Sequence, residues 1–359
     1  MVTFPSISIQ LINMKSINLN VMKNILIIAA FIWGMQLNAQ DLKADNMLLF
    51  QRSYGGWPKH FNDKGIKYDT EFSADIKAQI AAQNNDEDAT IDNEATTKEI
   101  KYLAIAYKQY HNPKYLAAVE SGIRYLLKAQ YDNGGWPQYY PDKKMYRAEI
   151  TFNDNAMINA MRVLQAVVLK KLDLDIVDPS LVQPCAVAVA KGVDCILKTQ
   201  IRVDGKLTAW CQQYNEVTLQ PAKARAYELP SISGAETVGI VEFLMSIPSP
   251  KQEIKDAVNA ACAWLDKVKI VGYKVEKVAD PTSPKGKDKK LVEDVSSTIW
   301  ARYYEIETNK PFFCDRDGIK KYSLAEIGYE RRNGYAWYGT WPHLLLDKRY
   351  ADWVRKNGR

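Results

Sequence analysis

The stretch that decides the fold is LKAQYDNGGWPQYY, residues 127–140, in which a helical pattern ends and a Gly-Gly-Trp-Pro turn begins. Seventy residues later the chain reads LKTQ at 197–200 and then WCQQY at 210–214. Upstream, GGWP at 55–58 precedes the first helical pattern, and GTWP at 339–342 lies near the C-terminus. A helical unit that recurs with a fixed turn predicts stacked units that share one core.

Three pairs of amphipathic helices lie around these turns. Apolar residues recur with helical spacing at 100–107 and 116–127, then at 157–168 and 186–197, and finally at 237–245 and 254–268. Strand signals are few and short. We therefore predict an all-α protein, an α/α toroid of three helical hairpins with inner and outer helices, irregular loops and few short strands. An open helical solenoid is the alternative, which so few repeats without capping units disfavour.

The N-terminus has the layout of a secretory signal. Lys23 precedes an apolar run from Ile25 to Trp33, and small residues suited to cleavage end at Ala39. The run is too short to span a bilayer as a retained helix. We predict that residues 1–39 are an upstream extension and signal peptide, and that 40–359 form a single catalytic domain. The protein would then be exported, either secreted or periplasmic, without a membrane partner.

Composition narrows the choice of partners. The chain is 47% hydrophobic and 25% charged, as in globular proteins, and its formal charge of +6 suits an acidic partner. The basic run Lys285–Lys290 is interpreted as a solvated loop, and no nucleic-acid motif accompanies it, so we expect no nucleic-acid partner. A monomer is the default expectation. The five cysteines form no C-x-x-C pair, and Cys185, Cys195 and Cys262 are predicted to be buried in helices.

Polar loops precede the first helix of each pair. They contain Asp92-Asn93, then Asn153-Asp154-Asn155, and then the segment Arg225–Glu236. If these helices form the inner ring, the loops emerge on one rim, with the two Asp-Asn pairs facing each other near an arginine. Asp or Asn before a helix is more often a helix cap, but recurrence at equivalent positions favours function. Carboxylate and amide oxygens suit Ca²⁺, with water or substrate supplying the missing ligands.

Two further arginines lie in aromatic or turn-like surroundings. Arg302 follows Trp300-Ala301, and Arg316 lies between two aspartates. A planar guanidinium matches a carboxylate bidentately, so both are candidates for binding an acidic ligand. Taken singly, each has a structural alternative, which is a helix-surface pair with Glu305 for Arg302 and a salt bridge to the flanking acids for Arg316.

These motifs resemble those of the pectate lyases of polysaccharide lyase family 10. The matching segments run in order from about residue 45 to the C-terminus, at 90–93, 134–138, 153–155, 224–228, 233–236, 300–302 and 315–318. The resemblance implies an α/α toroid, in agreement with the helical pairs. Glu94 stands where many relatives are expected to have glycine, so this loop carries an extra carboxylate.

The resemblance implies Ca²⁺-dependent cleavage of α-1,4-linked polygalacturonate by β-elimination, which leaves 4,5-unsaturated oligogalacturonates. The implied roles are the metal site for Asp92 and Asp154, the Brønsted base for Arg225, and substrate binding for Arg302, Arg316 and Tyr227. Cations on the substrate carboxylate would stabilise the charge that develops as the C5 proton leaves. Because the ordinary pKa of arginine is above 12, we expect nearby cations to favour its neutral form and the pH optimum to be alkaline.

Two other functions are compatible with the same residues. A glycoside hydrolase on the same architecture would use Asp92 and Asp154 as acid and base or nucleophile, and it would resist chelators. A non-catalytic protein would bind acidic oligosaccharides without turnover. The ordered set of motifs favours the lyase over both.

Overall fold

The three predicted helical hairpins are all present in a computed structural model that describes residues 41–358. The helices are α1 Leu42–Phe50, α2 Ala74–Ala82, α3 Thr97–Tyr110, α4 Pro113–Ala129, α5 Ala156–Leu169, α6 Val182–Thr199, α7 Glu236–Met245, α8 Gln252–Lys267, α9 Tyr329–Gly334 and α10 Tyr350–Asn357. The hairpins are α3 with α4, α5 with α6, and α7 with α8. The predicted signal peptide at 1–39 lies outside the described residues.

The hairpins stack in two layers. Helix α5 contacts α3 and α7, which makes these three the inner helices, and α6 contacts α4 and α8 in the outer layer. The predicted helical toroid is therefore confirmed. Most side chains of α5 are buried, since helices surround it. Cys185, Cys195 and Cys262 are buried on α6 and α8, as predicted.

One stretch among residues 41–358, Pro179–Thr199, is long and apolar enough to cross a membrane by length and composition alone. It contains α6, whose apolar face packs against α5 and whose flanks contact α4 and α8. An amphipathic helix that covers a protein core passes the same test of length and composition.

Four buried tryptophans mark the same position in successive repeats. Each indole N–H donates a hydrogen bond of 2.7–2.8 Å to a main-chain carbonyl in a preceding helix. The pairs are Trp57–Met47, Trp136–Leu126, Trp210–Ile196 and Trp300–Leu265. The GTWP segment at 339–342 does not mark the fourth repeat, contrary to expectation. Trp300 holds that position instead, and a long strand insertion separates it from α8.

Glutamines at the ends of α1, α4 and α6 tie each repeat to the next. Each side-chain amide donates to a carbonyl of the following turn and to a carbonyl of the next outer helix, at 2.8–3.0 Å. The donors and their two acceptors are Gln51 to Gly55 and Ala118, Gln130 to Gly134 and Ala188, and Gln200 to Thr208 and Ala257. Gly134 has φ 91°, and a Cβ there would lie 2.0 Å from the carbonyl oxygen of Lys191, so only glycine fits this turn.

Most strands are two-residue pairs at the rim, but one hairpin is long. The strands are β1 His60–Phe61, β2 Lys64–Gly65, β3 Ile150–Thr151, β4 Arg202–Val203, β5 Lys206–Leu207, β6 Gln213–Tyr214, β7 Ile232–Ser233, β8 Ile270–Ala279, β9 Lys287–Ala301, β10 Tyr303–Tyr304, β11 Phe313–Cys314, β12 Lys320–Lys321 and β13 Tyr338–Gly339. Strand β9 pairs antiparallel with β8 and, at its end, with β13. The basic run Lys285–Lys290 was predicted to be a solvated loop, which is wrong from Lys287 on, because those lysines pair with β8.

Candidate active site

Two short turns bring the predicted acids together at the start of the inner helices. Asp92–Glu94 precedes α3, Asn153–Asn155 precedes α5, and the two turns contact each other. Asn93 and Asp154 occupy equivalent places with left-handed backbone, at φ 49° and 51°. Neither turn supplies a side-chain capping hydrogen bond to the helix that follows it. The helix-cap alternative for these two loops is therefore wrong.

Asp92 is a nearly buried carboxylate with a single charged partner. Its side chain is 5% exposed, and its Oδ2 accepts a hydrogen bond from Nζ of Lys59 within an ion pair. Its Oδ1 is buried and has no hydrogen-bond donor. A buried carboxylate oxygen without a donor costs free energy, so this atom is suited to binding a cation.

Asp154 is more open and shares its surroundings with other charges. Its Oδ1 lies 3.4 Å from Nη2 of Arg302, and its Oδ2 accepts a hydrogen bond of 3.1 Å from Asn153. The pKa of its carboxyl is raised, and the largest cause is partial burial, which disfavours the charged form. Arg302 lowers this pKa, whereas the charges of Glu236 and Asp92 raise it. The two predicted metal ligands therefore lie in one electrostatic neighbourhood.

Arg302 is held between strands β9 and β10 and points towards the loop Asn153–Asn155 and towards Glu236. Its Nη2 donates to Glu236, the first residue of α7, and lies near Asp154. Its guanidinium carbon is 5.0 Å from the ring centre of Tyr335. The alternative of a helix-surface pair with Glu305 is wrong, because Arg302 is not in a helix and is nearly buried.

Arg225 makes a bidentate ion pair with the buried carboxylate of Glu228. Its Nε lies 2.7 Å from Glu228 Oε2, while the arginine side chain itself stays 43% exposed. Glu228 also accepts a hydrogen bond of 2.9 Å from the hydroxyl of Tyr335. Burial lowers the pKa of Arg225, but the hydrogen bond and charge of Glu228 outweigh burial, so the net shift is upward. Without a bound cation or substrate, Glu228 thus holds the guanidinium protonated.

The ring of Tyr227 packs against the guanidinium group of Arg225. Its ring is 4% exposed and lies between two guanidinium groups, 5.0 Å from that of Arg225 and 4.5 Å from that of Arg331. This burial argues against the predicted substrate contact of Tyr227. The ring belongs to a small second core whose buried members are Tyr227, Tyr303, Phe312, Phe313, Cys314, Leu324, Ile327 and Trp337.

Arg316 lies at the margin of this group of residues. Its side chain is 67% exposed, and its Nε is 3.2 Å from Glu330, a carboxylate that it shares with Arg331. The expected salt bridge to the flanking aspartates is wrong, because Asp315 accepts hydrogen bonds from the main-chain N–H groups of Arg316 and Gly328 and not from the Arg316 guanidinium. The turn that carries Arg316 lies beside the loop of Arg225, since a Cβ at Gly318 would be 3.5 Å from the carbonyl oxygen of Ala226.

The comparisons with known proteins agree with this arrangement. The sequence model of the pectic acid lyase family matches residues 51–346, which is most of the chain. The chain belongs to the pectic acid lyase family. No curated protein matches the sequence.

Two solved structures resemble this pectic acid lyase over nearly its whole length. One is a family 10 polysaccharide lyase from Cellvibrio cellulosa, 35% identical, with a TM-score of 0.75 and coverage of 92% of this chain and 96% of that one. The other is a mutant of the family 10 lyase from that organism, with an aspartate changed to alanine and trigalacturonic acid bound. It is also 35% identical, with a TM-score of 0.76 and coverage of 92% and 97%. The protein is therefore a lyase, which disfavours the hydrolase and non-catalytic alternatives.

The donor chemistry of the lyase site fits a hard cation in part. Asp92 offers an unpartnered buried oxygen and Asp154 a partly exposed carboxylate. No group of three or more His, Cys, Asp or Glu side chains within residues 41–358 is arranged to hold a metal ion. Since Ca²⁺ takes six to eight oxygen ligands, two carboxylates would leave most positions to water or substrate oxygens.

Sequence reasoning missed four residues of the lyase site. Glu236 and Glu228 hold the two central arginines, Tyr335 lies beneath both of them, and Lys59 pairs with Asp92. Two of them left a usable signal, because Lys59 follows the repeated Trp-Pro turn and Glu228 lies three residues after Arg225 in the same motif. Glu236 and Tyr335 meet their arginines only through the tertiary fold.

Proposed function

We propose that this lyase cleaves α-1,4-linked polygalacturonate by Ca²⁺-assisted β-elimination, with Arg225 as the Brønsted base and 4,5-unsaturated oligogalacturonates as products. The observation that carries the proposal is the meeting of Asp92, Asp154, Arg302 and Arg225 on one rim. The family and the trigalacturonic acid complex of the Cellvibrio relative support an oligogalacturonate as substrate.

Arg302 would bind the substrate carboxylate directly. Asp92 and Asp154 are the residues that would hold Ca²⁺. When bound, the ion supplies positive charge that stabilises the negative charge developing on the uronate during proton loss. Arg302 has its guanidinium fixed by Glu236, so its position is set before substrate arrives and costs little reorganisation. Arg316, exposed at the margin, would hold a carboxylate on a neighbouring sugar.

Arg225 would remove the proton from C5. The neutral guanidine takes this proton, the electron pair forms the C4–C5 double bond, and the C4–O4 bond breaks with the oxygen leaving on the other sugar. Protonation of that oxygen by solvent completes the balance. Because Glu228 raises the pKa of Arg225, the neutral form becomes abundant only at alkaline pH. The proposal therefore includes an alkaline optimum.

The test is absorbance of the unsaturated product from polygalacturonate at alkaline pH, with CaCl₂ and then with EDTA. We expect a Ca²⁺-dependent rise, and a loss of roughly 10²–10⁴-fold in Arg225→Ala, as for removal of a general base. Arg202→Ala removes an exposed arginine that bonds only Gly205 and serves as the control. New reducing ends without absorbance would contradict elimination, and an unchanged rate in Arg225→Ala would contradict the base.

Export and a monomeric state belong to the same proposal. They rest on the secretory layout of residues 23–39 and on the absence of any sequence mark of assembly. N-terminal sequencing of the exported protein checks the first, with Gln40 expected as the first residue. Light scattering of the purified lyase checks the second.

A further inference from the structure

Lys59 is placed on Asp92 by the repeated turn. Trp57 anchors this turn through its indole hydrogen bond of 2.7 Å to Met47, and Pro58 follows directly. Lys59 then reaches Oδ2 of Asp92, with its ammonium 5.8 Å from the ring centre of Tyr139 and its side chain only 20% exposed. The anchored turn therefore fixes the position of Lys59 next to Asp92.

The two predicted metal ligands differ in how firmly they are paired. Arg302 bonds mainly to Glu236 and lies 3.4 Å from Asp154, so Asp154 keeps a loosely held carboxylate. Asp92 is the more buried acid, and within residues 41–358 Lys59 is the one cationic side chain that forms an ion pair with it. A cation that binds Asp92 through Oδ1 shares the carboxylate with an ammonium group, and one that uses both oxygens must displace it. Binding at Asp154 disturbs only a weak contact.

We propose that Lys59 is a built-in counter-ion that competes with Ca²⁺ for Asp92 and thereby lowers the calcium affinity of the substrate-free lyase. This inference rests on the calcium site of the proposed function. An ammonium and a divalent cation at the same carboxylate oxygen repel each other strongly where little water screens them. Lys59 must leave Oδ2 before Ca²⁺ can use that atom.

The local charge count leads to the same conclusion. Asp92, Asp154 and Glu236 contribute three formal negative charges. Lys59 and Arg302 contribute two formal positive charges, so the cluster keeps an excess of negative charge. Removal of the Lys59 charge leaves Asp92 unpaired beside the negative charges that already raise the pKa of Asp154. A divalent cation is then the favourable way to neutralise this cluster, so its binding becomes tighter.

Calorimetric titration of Ca²⁺ into the substrate-free lyase tests the inference. In Lys59→Met, which keeps the apolar stem and removes the charge, we expect Kd to fall roughly 10-fold or more, equivalent to about 1.4 kcal/mol. Lys59→Gln should tighten binding in the same direction, and Lys59→Arg should leave it close to wild type. Lys64→Met removes an exposed lysine of the neighbouring hairpin and is the matched control.

Asp92→Asn separates the two levels of the proposal. If this change abolishes Ca²⁺ binding while Lys59→Met and Lys59→Gln bind no tighter than wild type, the competition is overturned and the calcium site stands. If Asp92→Asn leaves the titration unchanged, or if neither wild type nor any variant binds Ca²⁺, both the competition and a substrate-free calcium site at Asp92 are overturned. Near-ultraviolet circular dichroism of each variant confirms that it is folded before titration.

Discussion

Among single residues, Arg225 and Glu228 raise the main chemical question, which is how the proposed base loses its proton beside a carboxylate. The buried carboxylate raises the pKa of the arginine, although a base must be neutral to accept a proton. In Glu228→Gln the carboxylate charge is removed at nearly constant size, so the pKa of Arg225 should fall. We expect the rising alkaline limb of the kcat/KM profile to move to lower pH, measured from about pH 7 to 11, since this profile reports groups of the free enzyme.

Glu276→Gln is the control for this change, because Glu276 pairs with Lys274 on the exposed surface of β8. Its pH profile should overlay that of wild type. A Glu228→Gln profile of unchanged shape but reduced height would show that Glu228 only positions Arg225 and that another group controls the pH dependence.

The sequence predicted several site residues but few of their partners. Asp92, Asp154, Arg225 and Arg302 stand in recognisable motifs next to helix starts, so pattern and resemblance were sufficient to select them. Glu228 lies only three residues from Arg225, but the other partners are distant in the sequence, as the 66-residue separation of Arg302 and Glu236 illustrates. Pairing at this distance is decided by the stacking of hairpins, which no local pattern encodes.

Among the elements, the glutamines at the ends of α1, α4 and α6 are specific ties between repeats. Gln130 donates to Gly134 at 3.0 Å and to Ala188 in the next outer helix at 2.9 Å. Gln130→Ala deletes both donors and leaves two carbonyls with poorer partners, so we expect a loss of about 1–3 kcal/mol in the free energy of unfolding. Urea unfolding followed by circular dichroism measures this loss.

Gln252→Ala is the matched control, since Gln252 is exposed at the start of α8 and bonds only the surface carboxylate of Asp256. Its effect should stay within about 0.5 kcal/mol. Equal effects of the two substitutions would mean that the inter-repeat hydrogen bonds contribute nothing to stability.

The helices were predictable because each buries an apolar stripe with helical period, and the stripes at 100–127, 157–197 and 237–268 predicted all three hairpins. The β8–β9 hairpin escaped prediction for the opposite reason. Many of its side chains are exposed, as at Val271 and Val295, so no alternating pattern of buried and polar residues marks it. Its pairing depends on main-chain hydrogen bonds, which every sequence can make.

For the whole molecule, one buried acid is expected to lower the stability of the fold at the alkaline pH at which the lyase is proposed to work. Glu99 is fully buried in the first turn of α3, where it accepts a hydrogen bond of 2.9 Å from Tyr68. Its Oε2 has no partner. Burial raises its pKa to about 7, against which the charge of Lys98 and the Tyr68 hydrogen bond act only in part.

The sign of the effect on folding follows from linkage. Between the unfolded pKa, near its usual 4.5, and the folded value of about 7, the native state binds more protons than the unfolded state. Stability therefore falls as pH rises through this window, and the full penalty remains at alkaline pH. Glu99→Gln removes the ionisation, so its stability relative to wild type should be about 1–3 kcal/mol greater at pH 8 than at pH 5.

Urea unfolding of both proteins at the two pH values measures this difference. Glu253→Gln, which changes an exposed glutamate in the first turn of α8, should give the same small effect at pH 5 and pH 8. A pH-independent difference between Glu99→Gln and wild type would show that Glu99 is ionised throughout, and that Lys98 satisfies it. If the expected difference is found, the lyase loses stability at the same alkaline pH that the proposed arginine base requires, and Glu99→Gln is the substitution that separates the two effects.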